Sequence, residues 1–75
     1  MYRLSITRTD EKNAETGTED YETAGTAWGA ALYDIKVCQY DKGVLATLSK
    51  YEIVDTVVVD SASSNRSYRV TVEKL

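Results

Sequence analysis

The stretch "DTVVVDSASSNRSYRVTV", residues 55–72, decides the fold, because it reads as two strands joined by a small polar turn. Val57 and Val59 fall on one face of the first strand, and Val54, Thr56 and Val58 on the other. Tyr68, Val70 and Val72 alternate strictly in the second, and Asn65 in the turn tolerates a left-handed backbone. This terminal hairpin has valines on both faces of its first strand, so it needs cover on both sides, and 75 residues leave room for about one helix.

Working toward the N-terminus, "DYETAGTAWGAALYDIKVCQYDKG" (20–43) places Ala24, Ala27, Trp28, Ala31, Ile35 and Cys38 at spacings of three and four, with Leu32 beside them. The spacing predicts a helix seated by Trp28, capped by Asp20 or Thr23 and stopped at Gly43, with Cys38 a small buried hydrophobe on its apolar face. A competing reading takes 33–51 as a hairpin, since Tyr33, Ile35 and Val37 also alternate and "YDKG" suits a turn, which would make the chain mostly β. The opening "YRLSITR" has the period of a half-buried strand, with Tyr2, Leu4 and Ile6 on one face and Arg3, Ser5 and Thr7 on the other. Residues 44–52 fit a strand or a helical turn equally. The expected architecture is α+β: a single domain over 1–75, with a mostly antiparallel sheet of three or four strands and one helix on one face, in the order strand-helix-strand-strand. Its inner layer would be Leu4, Ile6, Val57, Val59, Val70 and Val72 against Ala24, Trp28, Ala31, Leu32 and Ile35.

Charge is unevenly spread. Residues 10–22 hold Asp10, Glu11, Glu15, Glu19, Asp20 and Glu22 against Lys12 alone, a net of −5 within a total of −3, so the rest carries +2. With no apolar period, this segment reads as a solvated loop leading into the helix, dispensable for folding. In "GTAWG", residues 25–29, two glycines in a helix cost roughly 1 kcal/mol each relative to alanine. The expected reason for them is close seating of the helix on its own sheet.

Much chemistry is excluded. Histidine is absent, which removes the commonest general base and metal ligand, and a lone cysteine excludes a zinc cluster and an internal disulfide. No phosphate-cradling glycine loop occurs, and the acidic segment fits no calcium-loop spacing. No cofactor, metal or catalytic residue is expected, and an enzyme ranks third among the function classes. Without a leader-like or membrane-spanning run, a soluble cytoplasmic protein is expected.

A non-enzymatic protein-binding module, a small inhibitor or adaptor, is the leading expectation. It would act through the uncovered sheet face or an edge strand, with Val54, Thr56 and Val58 as contacts and a second copy of the chain as the simplest partner. The alternative is a binder of a small ligand or nucleic acid using Arg3 and Arg69 beside Thr71. Nucleic acid is disfavoured because Tyr2 and Tyr68 fall on the core side, leaving no exposed aromatics for stacking on that face.

Overall fold

The computed structural model describes residues 1–44, 48 and 51–75. Strands β1 (Tyr2–Arg8) and β2 (Thr16–Tyr21) precede helix α1 (Ala24–Tyr33), whose end runs into a π-helical turn, Asp34–Cys38. Strands β3 (Asp55–Asp60) and β4 (Ser67–Lys74) form the terminal hairpin. All four strands pair antiparallel in the order β2-β1-β4-β3. The fold is α+β as expected, with one strand more than the expected order: the acidic segment is not simply a loop, because Thr16–Tyr21 zips onto β1 from Thr7↔Thr16 to Tyr2↔Tyr21.

The core is one cluster on the helix side. Leu4, Val59, Val70 and Val72 of the sheet meet Ala24, Ala27, Trp28, Ala31 and Ile35, with Ile6, Leu32 and Val57 packed half-buried at the margin. Tyr68, Val44 and Leu48 join the cluster in addition to the expected inner layer. Burying each of the valine, leucine and isoleucine side chains in this cluster contributes roughly 1.5–3 kcal/mol. Trp28 is fully buried; its indole N–H donates to the Ile53 carbonyl at 2.8 Å, and its ring lies 5.2 Å from that of Tyr51. The helix therefore seats on the sheet and is strapped by the chain entering β3.

Thr23 caps α1, its hydroxyl oxygen accepting from the Thr26 N–H at 3.1 Å, while Asp20 belongs to β2. The helix continues through residues 33–38, so no strand forms there and the alternative hairpin is excluded over that part. The remainder of the 44–52 question falls on residues 45–47, 49 and 50, outside the described residues. Cys38 is exposed, contrary to expectation. The wider π turn, closed by Gln39 N–H to the Asp34 carbonyl at 3.0 Å, shifts the helical phase after Asp34 and turns Cys38 away from Ile35. The glycines of "GTAWG" are not seated tightly either: a Cβ at Gly29 would meet nothing within 4 Å, and one at Gly25 only ordinary contacts at 3.7 Å. Gly43 is the confined one, since a Cβ there would come within 2.6 Å of the Ser63 backbone nitrogen.

Behind Gly43 lies a buried carboxylate. Asp41 accepts hydrogen bonds from Ser61 Oγ (2.7 Å), Tyr68 Oη (2.9 Å), the Gly43 N–H (3.1 Å) and Ser64 Oγ (3.2 Å). Burial opposes its ionisation, but the combined donors hold its pKa below the ordinary carboxylate value. The Tyr68 hydroxyl is pushed up, first by burial and then by the Asp41 hydrogen bond. This node ties the helix exit to the β3–β4 turn, and Arg66 adds a bond to the Gln39 carbonyl at 2.8 Å.

Candidate functional site

The sheet face opposite α1 carries the expected site residues. Side chains alternate, so the strand pairing places Thr18, Ser5, Thr71 and Thr56 in one row across all four strands. The next row holds Thr16, Thr7, Arg69 and Val58, and on the other side lie Asp20, Arg3 and Glu73. Hydroxyls bond to each other within the rows: Thr7 with Thr16 at 2.7 Å, and Thr56 with Thr71 at 3.0 Å. The face is thus mainly polar, with Val58 the apolar member of these strand rows and Val54 exposed just before β3.

Arg3 and Arg69 share this face but do not converge. Arg69 stands opposite Thr7 and Arg3 opposite Glu73, four residues apart along the strands, roughly 13 Å. The Arg3 guanidinium is held by Asp20 through two bonds, Nε to Oδ1 at 2.9 Å and Nη2 to Oδ2 at 3.2 Å. That pairing raises the Arg3 pKa and lowers that of Asp20. Arg8, at the end of β1, is likewise engaged by Asp10 and Glu11. With Asp20, Asp60 and Glu73 against Arg3 and Arg69, this face has no excess of positive charge to attract phosphate.

The two sheet edges differ. At the β3–β4 turn the Ser61 N–H donates to the Arg66 carbonyl at 2.9 Å, which sets the antiparallel alternation. Residues 55, 57 and 59 exchange bonds with β4, so the peptide groups of Thr56, Val58 and Asp60 point outward from the sheet. The Thr56 N–H is met by its neighbour Asp55 Oδ1 at 2.8 Å, leaving Val58 at the centre of the open edge. Ile53, Val54 and Val58 flank it at 61%, 50% and 59% exposure, high values for three aliphatic side chains grouped at one edge. Edge β2 carries Glu19 and Asp20 within the strand, the charged pattern that discourages strand pairing, whereas the two aspartates of β3 stand only at its ends.

On the helix side, a half-open cleft of about 330 Å³ lies between α1 and the β1–β2 pair. Sequence reasoning missed it, because it depends on Gly17 and Glu19 sharing the inner face with Ile6 and Leu4, a pairing visible only once β2 is placed. Among the described residues no group of His, Cys, Asp and Glu is arranged to hold a metal ion, and no helix is long and apolar enough to cross a membrane. No protein-family model, curated protein or solved structure matches the chain at a significant level.

Proposed function

We propose that this chain is a non-enzymatic protein-binding module, an inhibitor or adaptor in kind, that takes an extended segment of its partner along the free edge of β3. The observation that carries the reading is the outward peptide group of Val58, framed by exposed Ile53, Val54 and Val58, while the opposite edge has its charges inside the strand and no exposed aliphatic side chain. Strand addition draws affinity from backbone hydrogen bonds and selectivity from alternate side chains, and it needs no cofactor or titrating group. Asp55 and Asp60 at the ends of β3 keep the paired segment to a few residues and disfavour acidic partners. The absence of histidine is in keeping with a binding rather than a catalytic role.

A second copy of the chain also suits this edge, because the two aspartates of "DTVVVD" bracket an apolar centre that can pair with its own copy. Antiparallel pairing centred on Val58 sets Thr56 against the Asp60 of a second copy and Val57 against its Val59, with no aspartate facing another. Val58→Pro tests the proposal. It removes an N–H that points away from β4, so the native ladder keeps its bonds. A Val58→Thr control keeps the donor. Partner capture retained by the threonine variant and lost by the proline variant, with both folded, supports strand addition; equal capture by both rejects it. Sedimentation of the same variants separates a second copy from a foreign chain.

A further inference from the structure

The cleft on the helix side has an apolar floor and an anionic rim. Leu4, Ile6 and Ala30 supply the floor, because α1 presents only the short Ala30 side chain there and Gly17 of β2 has none. Glu19 is the unusual member. It faces inward, directly opposite the buried Leu4 in the β1–β2 register. Glu15 and Asp34 line the same cleft. Among the described residues no lysine or arginine lies within ion-pair distance of Glu15, Glu19 or Asp34, and the one cation of the lining, Arg8, is taken by Asp10 and Glu11. The field these groups create reaches Tyr21, whose hydroxyl is pushed up by burial first and then by Glu19, to which it donates at 3.2 Å, with Asp34 adding to it.

We propose that this cleft is a second docking site, independent of the β3 edge, that receives an arginine side chain presented by an apolar stretch of a partner protein. At about 330 Å³ the cleft lies at the small end of ligand pockets, a size suited to one long side chain rather than a folded element. An arginine stem lies along Leu4 and Ile6 while its guanidinium reaches the carboxylates at the rim, the division of labour such amphipathic side chains favour. A guanidinium is also more weakly hydrated than an ammonium and binds carboxylates through paired donors. The net charge supports this occupant: four carboxylates line the cleft against one arginine.

The test is an amide-shift NMR titration of the full chain with an acetylated, amidated leucine-arginine-leucine tripeptide. The expected result is saturable shifts of the Ile6, Gly17, Glu19 and Ala30 amides at concentrations up to about 10 mM. Citrulline in place of arginine, neutral but of similar shape, weakens binding on the order of tenfold, as does the Glu19→Gln, Asp34→Asn double variant. A Glu52→Gln, Glu73→Gln double variant, with the same change in net charge outside the cleft, leaves it unaltered. If the first double variant loses its fold, Glu15→Gln carries the comparison. No shifts at these residues, equal binding of the citrulline peptide, or equal losses from the two double variants overturns the proposal. Equal shifts with spermidine overturn it as a protein-docking site and leave a site for free cations.

Discussion

Replacing Asp41 with alanine removes the acceptor of four hydrogen bonds at once. Ser61 and Ser64 stand near enough to solvent to recruit water, whereas Tyr68 is fully buried and its hydroxyl proton is left without an acceptor. A bond to a charged acceptor contributes about 1.5–3 kcal/mol, and a stranded buried donor costs about 1–3 kcal/mol. Because these contributions overlap, the expected loss is about 3 kcal/mol. A chain of this length has a net stability of roughly 4–11 kcal/mol, so the variant folds but melts about 12–24 °C lower. The assay is thermal unfolding followed by near-ultraviolet circular dichroism, which reports Trp28 in the core. In a Tyr68→Phe background the same substitution costs about 1–2 kcal/mol less, since no stranded hydroxyl remains. Acid titration adds an independent check. The folded pKa of Asp41 lies below its unfolded value, so its contribution is fully present above the unfolded pKa and is lost as pH falls through the folded one. The wild type therefore loses stability below about pH 4 more steeply than Asp41→Asn does. An Asp41→Ala variant melting within about 3 °C of the wild type refutes this account of the node.

The glycines predict opposite outcomes from one substitution. Gly29→Ala adds a methyl into open space on a helix and stabilises by about 0.5–1 kcal/mol, whereas Gly43→Ala drives a Cβ into the Ser63 backbone and destabilises by more than about 1 kcal/mol; chemical denaturation measures both. Tyr40, 86% exposed at φ 53°, occupies left-handed backbone that favours glycine, so Tyr40→Gly raises stability by about 1 kcal/mol in the same assay.

The terminal hairpin was legible because Tyr68, Val70 and Val72 must all face the core, and the helix because Trp28 and its alanines recur at helical spacing. Strand β2 was not, since "TGTEDY" has no apolar alternation. It is an edge held by backbone bonds to β1, with only Tyr21 packed against the core cluster, and the cleft beside it was hidden for the same reason. Cys38 was misplaced because helical spacing assumes one phase throughout, and the π turn changes it. The Asp41 node left little trace in sequence, as a carboxylate among serines reads equally well as a solvated turn. The candidate positions Thr56, Val58, Arg69 and Thr71 do share the open face, but Asp20 pairs with Arg3, and which sheet edge is open depends on strand order, which local pattern does not carry.

The β3 edge is tested most directly by replacing Val58 with a photoreactive benzoylphenylalanine, irradiating the protein in extract from its native source, and identifying adducts by mass spectrometry. A matching probe at Thr18 on the opposite edge serves as the control. The account predicts a discrete protein adduct from position 58, either a second copy or one foreign chain, joined within an extended segment, and a different adduct or none from position 18, which borders the helix-side cleft. No adduct at 58, or the same adducts from both positions, contradicts it.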